Sequence, residues 1–575
     1  MRAPVLLMAC FLISFFAQSQ VSYRNHDQLS RKLKELASNH SNFAKVQSIG
    51  KSVGGKDIWL LTLGKADVKS KTAVLITAGI DGKHPAGTVI ATALAENYLK
   101  LSSDTLSRLL ETKTIYIIPA VSPDALEHYF SSLRYERSGN ATPTDDDRNG
   151  RIKDDPYEDL DGNGMITKIR ILDPTGKYIP DPKDPRLMIV ANPARGETGS
   201  YQIYTEGWDN DNDGQFNEDA SEGVNIDQNF TFNYGNFEKG AGDYQASEPE
   251  TKALLEFLYR NPNIHTVLNF GPAFNLGAQP ARPQGGNVGQ GQGSGAGSGG
   301  RGGASGARII TSLLENDAKI ADMVSQLYNS VTGLKNPPAL PLSKGSFTGT
   351  AYFHAGRFSF STPGWWAPEE EQRPGGRNNT DSSAAGRSAG NAQSGTMANY
   401  EARFLKWADK ENLKDVFVPW KPVTHQSFGD KKVEAGGIAP YALFNPPAAY
   451  LDSIAVKHLR FVDELLGAMP EIQIVNVKTE KLPNNVNRVT IQLVNKGRMP
   501  AYAQLGDRVR FVNKLKTEVQ LASGQSILSG RKIHLGNSLQ PGESVTHSWL
   551  ISGKGKIIIT AGCATTGTKS IELSL

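Results

Sequence analysis

Asp81 and His84 lie in a short segment whose residue types suit metal binding. The apolar and β-branched run at 74–77 predicts a buried strand, and Pro85 at an N1-like position opens an apolar helix over residues 88–99. In an open α/β sheet, the loop after such a strand lies where ligands and metals are usually held. An acid and an imidazole three residues apart therefore suggest a two-point metal clamp. The alternative is a helix-capping aspartate beside a loop histidine.

A second set of candidate ligands repeats the spacing D-x-[DN]-x-[DN]-G. The three copies run through Asp145, Asp147 and Asn149, through Asp159, Asp161 and Asn163, and through Asp209, Asp211 and Asp213. Calcium prefers hard oxygen ligands on alternate residues and a glycine where the loop folds back, so these copies predict calcium sites. None of the three copies has a glutamate at its twelfth position. The calcium ligand shells must therefore be completed by Asp154, Glu158, Glu218 or Asp219. A solvated acidic loop is the alternative.

The N-terminus predicts export. Arg2 precedes an apolar run over residues 3–16, and Ala17-Gln18-Ser19 suits cleavage, so we expect a signal peptide over residues 1–19. A lipoprotein anchor at Cys10 is the less favoured alternative. No later segment approaches the ~18 apolar residues that a membrane span requires. We therefore expect a secreted or periplasmic protein.

Net charge and cysteine content argue against a nucleic-acid or membrane partner and against an internal disulfide. The formal net charge of +4 is too small to indicate nucleic acid or a membrane surface as a partner. Cys10 leaves with the signal, so Cys563 has no partner and no internal disulfide is expected. Core packing and bound ions must then stabilise the fold.

The order of elements predicts two folded regions. Strands alternate with helices after residue 26, which indicates a mostly parallel α/β sheet. Beyond residue 470, apolar or period-two segments predict a β sandwich, with strands at 471–477, 489–493, 509–511, 545–551 and 556–560. We expect surface loops in the Gly-rich tract 284–307 and in the low-complexity tract 373–394.

Several collinear motifs resemble the carboxypeptidase A-like zinc carboxypeptidases. The stretch 48–58 is similar to that family's amino-terminal segment, 78–84 to its metal loop, 118–124 to its Asn-Pro-Asp segment, and 223–230 to its substrate segment. The resemblance implies an α/β/α sandwich around a mixed sheet over residues 20–468, with the acidic calcium-loop insertion at 140–222. A β sandwich, immunoglobulin-like, follows over residues 470–575. Zinc and a peptide or cell-wall peptide substrate are implied as well.

The functional positions match the family less well than the scaffold does. Asp81 and His84 stand where the family has a His and a Glu, so the pair is exchanged but its charge is kept. Phe270 stands at the position of the family's third zinc ligand. His265 lies five residues earlier, and His354 is another candidate for that ligand. The family's carboxylate-binding arginine aligns with Gln228, between Asp227 and Asn229, which removes a charge-assisted fork.

The catalytic base is also displaced in the alignment. The family's glutamate falls near Pro363, and the nearest acids are Glu369, Glu370 and Glu371, of which Glu369 is the candidate. Three readings remain open. The chain is a secreted zinc metallocarboxypeptidase, a catalytically inactive relative that binds peptides or glycopeptides, or a structural module held rigid by calcium. Sequence alone leaves enzymatic activity, substrate and oligomeric state undecided.

Overall fold

The structure is a computed structural model that describes residues 21–145, 149–152, 154–211, 214, 216–217, 223–277, 310–369 and 392–575. The predicted signal peptide, the Gly-rich tract and most of the low-complexity tract lie outside these ranges. The helices of the described residues are α1 (His26–Asn39), α2 (Pro85–Leu99), α3 (Ser103–Thr112), α4 (Pro123–Glu127), α5 (Pro249–Arg260), α6 (Glu315–Thr332), α7 (Phe347–Phe353), α8 (Ala392–Lys410) and α9 (Ala448–Ala468). None of them is long and apolar enough to cross a membrane.

A mixed six-stranded sheet organises the first part of the chain. Its strand order is β1-β2-β4-β3-β9-β10, with antiparallel pairing from β1 to β4 and parallel pairing from β4 to β10. These strands are β1 (Ala44–Lys51), β2 (Asp57–Leu63), β3 (Thr72–Ala78), β4 (Lys113–Ile118), β9 (Ile264–Phe270) and β10 (Phe358–Thr362).

Both faces of this sheet are buried, which explains the continuous apolar runs of its central strands. Val74 and Ile76 of β3 join a core with residues of α2, α6 and α9, whereas Leu75 joins the opposite core with residues of α5 and α7. Helices therefore cover both faces. The predicted α/β/α sandwich with a mixed sheet is confirmed.

A second six-stranded sheet is built largely from the acidic insertion. It is antiparallel, in the order β11-β12-β5-β8-β6-β7, and sequence reasoning missed it because several strands are only three to five residues long. They are β5 (Lys168–Leu172), β6 (Tyr178–Pro180), β7 (Met188–Val190), β8 (Tyr201–Thr205), β11 (Phe417–Val423) and β12 (Val433–Ile438).

Two antiparallel four-stranded sheets face each other at the C-terminal end, in the orders β13-β14-β18-β16 and β17-β15-β19-β20. Trp549, Val519 and Ile559 belong to the core that they enclose. The predicted all-β sandwich is confirmed. Its strands are β13 (Ile472–Leu482), β14 (Val486–Asn495), β15 (Leu515–Leu521), β16 (Ser526–Ser529), β17 (Ile533–Gly536), β18 (Ser544–Ser552), β19 (Lys556–Cys563) and β20 (Gly567–Ser574).

One strand prediction in this region is wrong. Residues 509–511 form a turn, because their side chains pack outward against the α/β region instead of pairing in a sheet. Val509 lies against Gly356, and the ring of Phe511 lies 4.2 Å from that of Tyr259. The two regions are therefore joined by close side-chain packing.

Candidate functional site

The loop between β3 and α2 starts with a turn that favours glycine. Gly79 has φ +59°, and a Cβ added there would lie 2.8 Å from Thr88 Oγ1 and 3.0 Å from the Cα of Ala120. An L-residue would be strained and crowded in that position. The turn carries the following residues into the protein, and Asp81 is only 7% exposed.

Asp81 uses both carboxylate oxygens within the protein. Its Oδ1 accepts a hydrogen bond from the backbone N–H of Lys83 at 2.8 Å, and its Oδ2 accepts one from Asn225 Nδ2 at 3.1 Å. The first bond shapes the loop itself, and the second ties the loop to the segment 225–229. Sequence reasoning placed these two segments in one site, and the structure brings them together.

His84 is 1% exposed, and its Nε2 lies 3.0 Å from the carbonyl oxygen of Pro363. Because a carbonyl only accepts, this contact requires Nε2 to carry the hydrogen. Burial lowers the pKa of His84 to about 4, and the charge of Asp81 and the carbonyls of Pro363 and Phe270 offset only part of that cost. The imidazole is therefore neutral at pH 7.

The position that aligns with the third family ligand holds a side chain that cannot bind a metal. Phe270 ends β9, is fully buried, and packs edge-on against His458 with ring centroids 5.3 Å apart. His265 is no substitute, because its Nε2 contacts the carbonyl of Pro500 at 3.0 Å in the C-terminal region. His354 is exposed, and its Nδ1 lies 2.8 Å from Thr231 Oγ1.

The segment that resembles the family's substrate segment is largely internal. Asp227 accepts a hydrogen bond from the backbone N–H of Phe347 at 3.0 Å and a longer one from Ser343 Oγ. Burial, together with a smaller contribution from the charge of Asp81, raises the pKa of Asp227 to about 7 despite these donors. Gln228 is half-buried, which leaves its amide as the polar side chain nearest to solvent in this segment.

Asn229 has a structural role. Its Nδ2 lies within hydrogen-bonding distance of the carbonyls of Ala241 and Tyr244, and its Oδ1 accepts from the backbone N–H of Glu248. These bonds fold the chain from residue 240 to 248 back onto the segment. The amide hydrogens of Asn229 are thus used inside the protein, and its assignment to substrate binding stays a prediction.

The chain just before α9 covers the loop of Asp81 and His84. Asn445 accepts a hydrogen bond from the backbone N–H of Ala86 at 3.0 Å and donates one to the carbonyl of Lys83 at 2.9 Å. It thereby satisfies one of the backbone N–H groups at the N-terminus of α2. The loop is closed by its own chain on this side.

Two arginines that could bind a carboxylate, Arg134 and Arg137, lie on a neighbouring segment. The Arg134 guanidinium donates to the carbonyl of Pro440 at 3.3 Å, and that of Arg137 lies 5.0 Å from the ring of Tyr157. Between them, burial raises the pKa of Glu136, which accepts from the backbone of residue 441. Both arginines are half-buried.

Glu369, the candidate base, lies apart from these contacts. It is exposed, accepts a hydrogen bond from Asn336 Nδ2, and interacts with the charge of Arg403. Glu370 and Glu371 lie outside the described residues. The contacts of Glu369 therefore lie at the protein surface, and its assignment as the catalytic base stays a prediction.

A catalytic zinc usually has three protein ligands and an open fourth position. In this loop, the Nε2 hydrogen of His84 is directed at a backbone carbonyl, and Phe270 stands at the third position. The buried Nδ1 of His84 accepts no hydrogen bond from the described residues and keeps a lone pair for a metal, but Phe270 cannot supply a third ligand, so these residues do not complete a catalytic zinc centre. Zinc binding by Asp81 and His84 stays a prediction for experiment.

The second acidic loop folds around its own carboxylates. Asp159 accepts backbone hydrogen bonds from Gly162 at 2.8 Å, Asn163 at 3.2 Å and Gly164 at 2.6 Å, and Asp161 accepts one from Asn163 at 3.2 Å. The spacing of the motif produces these turns locally. The loop has the tight shape that the motif predicts.

The first and third acidic loops meet each other. Asp145 accepts from the backbone N–H of Gly150 at 2.9 Å, and Asp209 accepts from that of Gly214 at 3.2 Å. Asn149 Nδ2 bridges the loops, since it lies 3.3 Å from Asp211 Oδ2. Asp147, Asp213, Glu218 and Asp219 lie outside the described residues.

Glu206 was missed by sequence reasoning. Within the described part of the chain, the only group of three His, Cys, Asp or Glu side chains whose ligand atoms lie within 4.8 Å of one another is Asp159, Asp161 and Glu206. Glu206 follows β8 and is separated from the motif by more than forty residues, so no local spacing could have signalled it.

Two family models match the chain. Residues 29–165 match the zinc carboxypeptidase family, and residues 471–574 match a family described only as a domain of unknown function. Among characterised proteins, a zinc carboxypeptidase of Saccharothrix mutabilis subsp. capreolus is 28% identical over 145 residues, which are 23% of this chain and 33% of that protein. Carboxypeptidase D of Anas platyrhynchos is 34% identical over 116 residues, 19% of this chain and 8% of that protein.

The chain thus spans about a third or less of the length of these two relatives. Among solved structures, bovine thrombin-activatable fibrinolysis inhibitor in complex with tick carboxypeptidase inhibitor is similar at a TM-score of 0.39 and 11% identity, over 77% of this chain and 96% of that one. The carboxypeptidase A from Helicoverpa armigera is similar at a TM-score of 0.35 and 15% identity, over 61% and 66% of the two chains.

The match over residues 29–165 includes the strand β3, the loop of Asp81 and His84, and the helix α2. These are the elements on which the resemblance was first based. Over this segment, the chain is similar to the zinc carboxypeptidase family.

Proposed function

We propose that this protein is a secreted, carboxypeptidase-like peptide-binding protein that does not hydrolyse its ligand. The observation that carries the proposal is Phe270, which is fully buried where the family has its third metal ligand and has no atom that binds zinc. The Nε2 of His84 donates to the carbonyl of Pro363 at 3.0 Å, so Nδ1 is the ring atom with a lone pair for a metal, and a zinc held by Asp81 and His84 would lack the third protein ligand that leaves one open position. Hydrolysis by zinc needs that open position to activate water.

Family ancestry and the polar side chains beside the loop support peptide binding. Gln228, Arg134 and Arg137 are half-buried and lie on segments that contact the loop or its covering residues. With an amide in place of the family's arginine, we expect little preference for a free C-terminal carboxylate. Backbone amides of a peptide, or of a cell-wall peptide, are the fitting ligand chemistry.

Binding and hydrolysis are separated by one pair of measurements. Fluorescence anisotropy with labelled peptides, free or amidated at the C-terminus, should give saturable binding that Gln228→Ala weakens and that the exposed distant variant Gln520→Ala leaves unchanged. Mass spectrometry of the same mixtures should show intact peptide. Cleaved peptide would favour the second candidate, a zinc peptidase, which is supported by the family match and by the nearness of Asp81 to His84.

We further propose that calcium stabilises the acidic insertion. Buried carboxylate oxygens of Asp145, Asp154, Asp155 and Asp209 accept no hydrogen bond from the described residues, and such oxygens repel one another unless a cation lies among them. Chelation should lower the melting temperature, and added calcium should restore it. An unchanged transition would mean that the insertion is held by its hydrogen bonds alone.

Export is part of the same proposal. The segment 1–19 has the order of regions found in a cleaved signal, and extracellular modules bind calcium with weak affinities that suit exposed acidic loops. N-terminal sequencing of the mature protein should begin just after Ser19. A lipid-modified N-terminal cysteine at Cys10 would instead show an anchored protein.

A further inference from the structure

Glu206 is built into the second acidic loop although it comes from the end of another strand. It is fully buried; its Oε1 accepts from the backbone N–H of Leu160 at 2.9 Å, and its Oε2 accepts from the N–H of Thr167 at 2.8 Å and its Oγ1 at 2.7 Å. The carboxylate thus bonds both ends of the loop. Its position is fixed relative to the two aspartates between them.

Among the described residues, the carboxylates of Asp159, Asp161 and Glu206 have little counter-charge. The side chain of Asp161 is 4% exposed, and its Oδ2 accepts no hydrogen bond from the described residues. Lys421 Nζ lies 3.8 Å from this oxygen, on a side chain that is 58% exposed. Burial raises the pKa of Glu206, and the charge of Asp161 adds to that effect. Buried like charges of this kind are stabilised by a bound cation.

We propose that Asp159, Asp161 and Glu206 form a calcium site that holds the segment Arg134–Ser138 against the loop of Asp81. Glu206 supplies the carboxylate that the motif lacks at its twelfth position. An all-oxygen set of carboxylates favours a hard divalent cation over zinc or copper. The inference rests on the calcium part of the proposed function and is independent of peptide binding.

Backbone hydrogen bonds connect this site to the candidate functional loop. The carbonyl of Gly164, the last residue of the motif, accepts from the N–H of Arg134 at 2.9 Å, and the carbonyl of Arg134 accepts from the N–H of Ile166 at 2.9 Å. Four residues further on, the carbonyl of Ser138 accepts from the N–H of Gly82 at 3.1 Å. A cation that orders the motif therefore orders a segment bonded directly to the residue after Asp81.

Calorimetric titration of the chelator-treated full chain with calcium tests the site. Glu206→Gln keeps the size of the side chain but removes its charge, so it should bind one calcium fewer or bind it at least about tenfold more weakly. Glu434→Gln is the matched control. Glu434 is a buried carboxylate on β12, in the sheet that also contains β8, and it is ion-paired with Arg170 at 2.8 Å. This variant should leave the calcium stoichiometry unchanged.

Lys421→Gln provides a test that does not depend on a buried residue. Loss of the competing ammonium should tighten calcium binding several-fold. If the wild type binds no calcium, the calcium proposal itself fails. If it binds calcium but neither Glu206→Gln nor Lys421→Gln changes the titration, only the assignment of this site is overturned.

Hydrogen exchange tests the connection to the functional loop. Calcium should slow exchange of the amides of Arg134 and Ile166 in the wild type and in Glu434→Gln, but not in Glu206→Gln. Equal exchange rates with and without saturating calcium in the wild type would refute the proposed coupling, whatever the peptide-binding experiments show.

Discussion

The Nε2 atom of His84 donates a hydrogen bond to the carbonyl oxygen of Pro363, across 279 residues of sequence. The two residues stand where the zinc carboxypeptidase family has a metal ligand and, near Pro363, its catalytic glutamate. In this protein, one hydrogen bond therefore joins these two positions to each other. The side chains of this loop bond to other parts of the protein and hold the fold together.

Protonation of His84 should destabilise the protein. Its pKa is about 4 in the folded state and near 6.5 when unfolded, so its favourable contribution is complete above about pH 6.5 and is lost as the pH falls towards 4. His84→Gln keeps a donor but cannot titrate. The difference in unfolding free energy between wild type and His84→Gln should therefore shrink by about 3 kcal/mol at most between pH 7 and pH 4. A constant difference would contradict a buried neutral ring.

Asp227 should show the opposite pH dependence. Its pKa is raised to about 7, so the wild-type side chain contributes most below about pH 3.8, and this contribution is lost as the pH rises to about 7. Relative to Asp227→Asn, the unfolding free energy of the wild type should fall by up to about 4 kcal/mol between pH 4 and pH 7. Denaturant titrations of the two proteins across this range make the comparison. If the unfolding free energy of the wild type relative to Asp227→Asn instead rose with pH, the carboxylate would be well solvated.

The motif Gly54-Gly55-Lys56, which is part of the family resemblance, should contribute to the stability of the fold. Lys56 Nζ lies 2.9 Å from Asp124 Oδ1, and the Asp124 side chain is 2% exposed. Lys56→Met leaves that carboxylate buried without its cation, at a cost of about 3–5 kcal/mol. Lys51→Met is the control, because Lys51 pairs with Asp57 at the surface and should cost no more than about 1 kcal/mol. Equal losses in the two variants would place the ion pair of Lys56 in solvent.

Local patterns predicted the parts of the site that adjacent residues determine. The turn at Gly79, the helix beginning at Pro85 and the folded loop of Asp159 all follow from spacing within a few residues. Alternating strands and helices likewise predicted an α/β sheet, and the family resemblance implied the α/β/α sandwich. In these segments the hydrogen bonds that shape the chain join close neighbours in sequence.

The contacts that decide what the site can do come from distant segments. Pro363 reaches His84, Asn445 reaches Lys83, and Glu206 reaches the loop of Asp159, each from a part of the chain with no pattern of its own. The strand predicted at 509–511 failed for the same reason, since packing against the α/β region outweighs its β propensity. Spacing along the sequence carries no information about such pairings.

The zinc content of the purified protein tests the central claim most directly. After dialysis against buffer that contains calcium but no chelator, metal analysis should find well under one zinc per chain, with the same value in wild type and His84→Ala. This result follows if Asp81 and the Nδ1 of His84 are too few ligands to hold zinc where Phe270 fills the third ligand position. About one zinc per chain, lost in His84→Ala and accompanied by hydrolysis of peptides, would contradict the account.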